Sequence, residues 1–162
     1  MIKIINLVLF AFMIGMNYLA NALPLNGKTT GQLSAEYPNL FVPAGITFSI
    51  WGVIYLLLAV YCVVQFTGQH KTEMNSIGWL FAISSLLNGL WILCWHYQKL
   101  SLSLLVMLGM LVVLILINMK LKALPMGLVK AAFGIYLGWI CIATIANVTT
   151  LFVNANWGAL GI

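Results

Sequence analysis

Five long apolar runs constrain this chain more than any other feature of its sequence. They cover residues 4–22, 43–66, 76–97, 102–119 and 126–153. A helix needs about 20 apolar residues to cross the hydrocarbon core, and irregular backbone facing lipid would leave N–H and C=O groups unpaired. The sequence therefore predicts an all-α integral membrane protein, a single domain over residues 1–162 with five transmembrane helices and one long loop at 23–42.

The composition excludes most soluble functions. Hydrophobic residues make up 64% of the chain and charged residues 6%, whereas a soluble domain carries about 25% charged residues. The net charge of +5 comes from seven lysines against Glu36 and Glu73, without a basic cluster suited to nucleic acid. Both glutamates are predicted to lie in loops. No carboxylate falls inside an apolar run, which argues against an ion-coupled pump.

The lysines predict an orientation. Five of them fall on the side of the N-terminus, while Lys28 and Lys99 fall on the other. Because cytoplasmic loops carry the excess of lysine, we expect a cytoplasmic N-terminus and an external loop at 23–42. The five are Lys3, Lys71, Lys120, Lys122 and Lys130.

Two alternatives concern the ends of the chain. Lys3, the first apolar run and the triplet Ala20-Asn21-Ala22 also resemble a cleavable signal peptide. The last residues are apolar and lack the charges that usually close a membrane protein. The chain could therefore be a truncated form of a longer protein, and the sequence leaves both alternatives open.

The cysteines and histidines do not predict a metal site. Cys62, Cys94 and Cys141 occur singly in three different apolar runs, without the paired spacing of metal ligands, and are predicted to be free, buried thiols. His70 is expected in a loop. His96 is expected to be a polar cap at a helix end, with haem ligation as the alternative.

Three runs each carry a stripe of aromatic and polar residues at helical spacing. Lipid offers no partner to a buried indole N–H, so tryptophans well inside a run are expected to face the bundle interior. Trp79 and Trp157 are instead expected in the interfacial belt. The alternative for the stripes is that they only join helices. They consist of Trp51 and Tyr55; Asn88, Trp91 and Trp95; and Tyr136, Trp139, Ala143 and Asn147.

These stripes resemble motifs of the translocator protein, or tryptophan-rich sensory protein, family (TspO/MBR). The second run keeps a proline, a phenylalanine, a tryptophan and a tyrosine of the family pattern P-P-G-W-x-F-G-x-x-W-x-x-x-Y: Pro43, Phe48, Trp51 and Tyr55. The third run contains N-x-x-W, and the fifth contains Y-x-x-W-x-x-x-A-x-x-x-N. The second run departs from the family pattern at Val42, Ala44, Gly45 and Ser49, so the start of this helix is expected to be shaped differently, and the choice of ligand stays open.

The resemblance implies a five-helix bundle that binds a tetrapyrrole such as protoporphyrin IX, with no required cofactor and no metal. The pocket would be roofed by the first loop and lined by the second, third and fifth helices. In the family, tryptophans at the positions of Trp51 and Trp139 are implicated in light-dependent breakdown of porphyrin, so these two would be catalytic if that reaction occurs. The implied binding residues are Pro43, Phe48, Trp51, Tyr55, Asn88, Trp91, Trp95, Tyr136, Trp139, Ala143 and Asn147.

The resemblance is to a divergent bacterial branch, which implies a bacterial cytoplasmic membrane. Two other functions remain open: a small-solute transporter or regulator of export, and a structural subunit without a ligand. Gly134 and Gly138 form a GxxxG pair on the fifth run, which is expected to serve helix packing and could support a homodimer.

Overall fold

The computed structural model describes residues 1–23 and 25–157. This part of the chain is helical and contains no strand. Five segments are long and apolar enough to cross a membrane: Ile2–Asn21, Gly45–Thr67, Lys71–His96, Leu100–Lys120 and Leu128–Asn154. The predicted five-helix membrane fold is confirmed. The elements are α1 (Ile2–Asn21), α2 (Thr30–Ala35), α3 (Ile50–Thr67), α4 (Lys71–His96), α5 (Leu100–Lys120) and α6 (Leu128–Asn154), with 3₁₀ segments at Leu25–Gly27 and Gly45–Ser49.

The five long helices form a ring with one weak seam. α1 packs against α4, α4 against α5, α5 against α6 and α6 against α3, whereas α1 and α3 contact each other much less. We call the end of the bundle that carries residues 22–44 the loop end and the opposite end the N-terminal end. The site described below lies near the loop end.

Small residues bring α1 close to α4. A Cβ atom on Gly89 would lie 2.3 Å from the Phe12 ring, and a Cβ atom on Gly78 would lie 3.1 Å from Ile2. Close approach of this kind increases van der Waals contact, which drives helix association where both surroundings are apolar. The first helix is therefore anchored on α4 along most of its length.

A polar contact joins α1 to α3 at the N-terminal end. The Asn6 amide donates to Gln65 Oε1 at 3.0 Å and to the Tyr61 hydroxyl at 3.3 Å. Gln65 in turn donates to the backbone oxygen of Cys62 at 3.1 Å. All three side chains of this contact, Asn6, Tyr61 and Gln65, are buried. The seam is thus closed at the N-terminal end.

Two helix starts differ from the apolar runs. The run predicted from residue 43 begins as a 3₁₀ segment at Gly45 and becomes an α-helix only at Ile50. α4 begins at Lys71, five residues before the predicted start. The prediction followed the apolar residues only and therefore left out the polar first turn of this helix. Glu73 therefore lies in the first turn of α4, where a carboxylate is favourable, and the prediction that it lies in a loop was wrong.

The first loop contains more regular structure than its turn-rich composition predicts. Thr29 and Gln32 form a capping box at the start of α2, with Gln32 N donating to Thr29 Oγ1 at 3.3 Å and Thr29 N to Gln32 Oε1 at 2.8 Å. Leu33 of α2 is buried, and Lys28 pairs with Glu36. The loop is consequently folded over the loop end of the bundle.

The predicted burial of two cysteines and the predicted packing of the glycine pair within this bundle were wrong, because the lipid-facing and inward-facing sides of a membrane helix are similarly apolar. All three cysteines are free, but only Cys62 is buried, whereas Cys94 is half-buried and Cys141 is exposed. Gly134 and Gly138 also face outward, since a Cβ atom at either position would meet no atom within 4 Å. The glycine pair therefore does not pack helices of this chain together.

Candidate functional site

Aromatic side chains from the three stripes meet near the loop end, as predicted. Trp51 is central: its ring stacks on Tyr55 at 5.6 Å and makes edge contacts with Tyr136 at 5.8 Å and Trp139 at 6.1 Å. Trp91 lies 6.2 Å from Trp51 between ring centroids. We call the whole set the aromatic cluster: Phe48, Trp51, Tyr55, Trp91, Trp95, Tyr136 and Trp139.

The cluster is interior, as expected for tryptophans well inside their runs. Trp51, Trp91 and Trp139 are 6%, 3% and 5% exposed, respectively. Trp79 and Trp157, predicted for the interfacial belt, are by contrast 57% and 53% exposed. The spacing of the tryptophans therefore predicted correctly which of them face inward.

A hydrogen-bonded chain crosses the bundle behind the cluster. Asn17 Nδ2 donates to Asn88 Oδ1 at 2.8 Å, and Asn88 Nδ2 donates to the Tyr136 hydroxyl at 3.0 Å. The Tyr136 hydroxyl then donates to Met110 Sδ at 3.2 Å. Four helices, α1, α4, α6 and α5, are joined by this chain. Asn88 and Tyr136 are both fully buried.

A second polar group involves Asn147. Its Oδ1 accepts from Ser103 Oγ at 2.8 Å and from Trp91 Nε1 at 3.3 Å. Trp95 Nε1 donates to the Thr30 backbone oxygen at 3.3 Å, which ties the loop to α4. The indoles of Trp91 and Trp95 thus have partners within the chain.

Two polar atoms of the predicted site residues are buried without a hydrogen-bond partner. They are Trp139 Nε1 and the Tyr55 hydroxyl, although the latter lies near the Asn88 side chain. A buried polar group left unpaired costs about 1–3 kcal/mol. Such atoms are expected where a ligand or a water molecule completes the site.

A small pocket lies beneath the loop. Its volume is about 20 Å³, which is sufficient for roughly one water molecule. The pocket is roofed by Thr30 and Ser34 of the loop and contains most of the residues that the family resemblance implied. These are Pro43, Phe48, Trp91, Trp95, Trp139, Ala143 and Asn147.

A larger space opens sideways between α1 and α3. This lateral cleft has a volume of about 480 Å³, within the range of about 300–1,000 Å³ that is typical of small-molecule sites. Trp51 and Tyr55 line it from α3, and Asn17 and Tyr18 line it from α1. Phe48 lines both spaces and packs edge-on against Trp139 at 5.9 Å. Phe48 therefore lies between the cleft and the small pocket.

His96 holds the loop in place and is not an interfacial cap. The side chain is fully buried. Its Nδ1 lies 3.1 Å from the Leu25 backbone oxygen, which can only accept, so Nδ1 carries a hydrogen; Nε2 lies 3.1 Å from Thr30 Oγ1. Asn26 Nδ2 donates to the His96 backbone oxygen at 3.1 Å. Binding a haem iron would require breaking the contact with Thr30.

Sequence reasoning missed several residues that line or support the site. Four residues were not assigned to the site: Asn17, Thr30, Ser34 and Ser103. Asn17 and Ser103 fall in runs that were classified only as apolar, and Thr30 and Ser34 fall in a segment that was predicted to be a loop. The capping pattern Thr29-x-x-Gln32 is the signal that could have predicted α2 and hence the roof. Nothing in the sequence indicated that Asn17 would face Asn88.

The described residues offer no metal centre. Within 1–23 and 25–157, no three His, Cys, Asp or Glu side chains lie close enough together to hold a metal ion. The chemistry available at the site is therefore that of aromatic faces, amides and hydroxyls.

Comparison with known proteins gives one result. Residues 3–162 match the family described as TSPO-like protein. Searches of curated proteins and of solved structures gave no significant match. Because the matched region spans nearly the whole chain and the fold is a five-helix membrane bundle, this protein belongs to the TSPO-like family.

Proposed function

We propose that this TSPO-like protein binds a flat, amphipathic tetrapyrrole such as protoporphyrin IX against its aromatic cluster. The observation that carries the proposal is a continuous aromatic wall beside the lateral cleft, with a buried, unpartnered indole N–H behind it. A macrocycle offers a large π-face for stacking on Trp51 and Tyr55. Such aromatic pairs contribute about 0.5–1.5 kcal/mol beyond the burial of their area.

The two spaces suggest how a macrocycle would be accommodated. The small pocket of about 20 Å³ cannot hold a macrocycle, whereas the cleft of about 480 Å³ is of ligand size. A ligand in the cleft would first meet Trp51, Tyr55 and Phe48. Rotation of Phe48, which belongs to the short 3₁₀ segment before α3, would join the two spaces and expose Trp139 to the ligand.

The proposal is tested by titrating protoporphyrin IX into the detergent-purified protein in the dark and following the quenching of tryptophan fluorescence. Affinity is taken from the midpoint, because removal of a tryptophan changes the amplitude. We expect saturable binding that weakens up to about tenfold in Trp51→Phe and in Trp139→Phe. Trp79→Phe is the matched control, since Trp79 is 57% exposed on the outside of α4.

Quenching without saturation, or equal weakening in all three variants, would contradict the proposal. The bound sample is then illuminated in air, and the porphyrin absorbance is followed. Loss of absorbance that requires Trp51 or Trp139 would add light-dependent breakdown to the function. Stable absorbance would restrict the function to binding.

A further inference from the structure

We propose that the lateral cleft between α1 and α3 recognises a hydrogen-bond-donating group, an alcohol O–H or an N–H, on a molecule that enters from the bilayer. The acceptor is Asn17 Oδ1, and the Tyr55 hydroxyl, which can accept or donate, belongs to a residue that lines the same cleft. The inference rests on the proposed function, because it assigns the chemistry of the same site. It adds a residue, Asn17, and a selectivity that the family resemblance did not supply.

The orientation of the Asn17 amide follows from its neighbours. Asn17 Nδ2 lies 3.0 Å from the Met13 backbone oxygen, which can only accept a hydrogen bond. The same nitrogen donates to Asn88 Oδ1 at 2.8 Å. Both hydrogens of the amide are therefore used in hydrogen bonds, and the remaining polar atom of the Asn17 side chain is its oxygen. Asn17 Oδ1 is buried and has no partner among residues 1–23 and 25–157.

The second oxygen belongs to the same small region. The Tyr55 hydroxyl is buried without a partner and lies near Asn88, the residue to which Asn17 donates. Asn17 and Tyr55 both line the cleft. Two unpartnered oxygens on facing helices thus flank one amide at the side of a single space.

Asn17 Oδ1 selects for a donor. It can only accept, so an ionised carboxylate or a phosphate, which has no hydrogen to donate, would meet it with repulsion. Asn17 Oδ1 is covered in this structure, so a ligand group reaches it only when a neighbouring side chain moves. A donor that does so satisfies an acceptor that the folded chain leaves unpaired.

The route to these atoms lies through the side of the bundle. α1 and α3 form the weakest contact of the ring and are joined by Asn6, Tyr61 and Gln65 at the N-terminal end. Asn17 lies four residues before the end of α1 at Asn21, about 6 Å along the helix axis. A polar group at this level would lie close to the lipid headgroups, while an apolar body could fill the cleft.

The test compares two probes that differ only in their ability to donate. A dibrominated stearyl alcohol and its methyl ether are titrated separately into the detergent-purified protein, and bromine quenching of tryptophan fluorescence is measured. Trp51 lines the cleft and reports occupancy. We expect saturable quenching with the alcohol binding about tenfold more tightly than the ether, as for a hydrogen bond to a buried, otherwise unpaired acceptor.

Variants assign the selectivity to Asn17 Oδ1. Asn17→Leu should abolish most of the preference for the alcohol. Tyr55→Phe removes a hydroxyl that can donate to the oxygen of either probe, so it should keep the fold and most of the preference. Tyr61→Phe is the matched control, because its hydroxyl accepts from Asn6 at the other end of the seam, and its preference should equal that of the unchanged protein.

Equal affinity for the two probes, absence of saturable quenching by either, or a preference that survives in Asn17→Leu would overturn the inference. Protoporphyrin IX is titrated into the same preparations. Porphyrin binding without the alcohol preference refutes the donor selectivity alone. Failure of the unchanged protein to bind porphyrin refutes the proposed function.

Discussion

The hydrogen-bonded chain through Asn88 should contribute measurably to the stability of the bundle. Asn88 accepts from Asn17 at 2.8 Å and donates to Tyr136 at 3.0 Å, and both bonds are interhelical and buried. Interhelical hydrogen bonds in membrane proteins average about 0.6 kcal/mol and reach about 1.7 kcal/mol. We therefore expect Asn88→Leu, which breaks both bonds, to lower the free energy of unfolding by about 1–3 kcal/mol.

A double-mutant cycle isolates the bond between Asn88 and Tyr136. Asn88→Leu, Tyr136→Phe and the double variant are unfolded at equilibrium in mixtures of SDS and a mild detergent, followed by tryptophan fluorescence. The coupling energy should be about 0.6 kcal/mol or more. Ser84→Ala is the control, since Ser84 is buried but bonds only to Phe81 of its own helix. A coupling energy of zero, or an Asn88→Leu variant as stable as the control, would refute the reasoning.

Two further changes probe the loop and the helix packing. His96→Ala removes the contacts with Leu25 and Thr30, so trypsin should cleave after Lys28 faster than in the unchanged protein. His70→Ala is the control, because His70 is exposed, and its cleavage rate should be unchanged. An unchanged rate in His96→Ala would contradict the role of His96 in holding the loop. Gly89→Leu should lower the thermal stability in detergent because α1 packs on this glycine. Gly134→Leu should leave the thermal stability unchanged, because a Cβ atom at this position meets open space. Equal losses of thermal stability in the two variants would contradict the packing of α1 on α4.

The spacing of large aromatic residues predicted the aromatic cluster, because helical spacing can be read without a difference in polarity between the two faces of a helix. Trp51 and Tyr55, four residues apart, share a helix face and are found stacked. Trp91 and Trp139 lie well inside their runs, where an indole facing lipid would lose its hydrogen bond. Both are buried beside Trp51. The helical period and the cost of an unpaired N–H were sufficient for this part of the prediction.

The remaining features could not be predicted because lipid and protein interior have similar polarity. An apolar run is equally apolar on both faces, so it does not indicate that Cys141 faces outward or that the glycine pair is unpacked. The role of His96 depends on its contacts with Leu25 and Thr30, which lie about 70 residues earlier in the sequence and meet His96 only because the loop folds back. The lateral cleft depends on how far α1 stands from α3, and a single sequence carries no measure of that distance.

The seam between α1 and α3 combines two properties that point to the same use. At the N-terminal end its polar groups bond to each other, through Asn6, Tyr61 and Gln65. At the loop end the helices separate, and the oxygens of Asn17 and Tyr55 stay unpaired at a cost of about 1–3 kcal/mol each. Asn6 Oδ1 at the N-terminal end is also buried without a partner among the described residues, so an unpaired oxygen alone does not indicate a ligand; Asn17 and Tyr55 differ in that they line the cleft. Their unpaired state beside a space of ligand size therefore favours a binding role over a purely structural one.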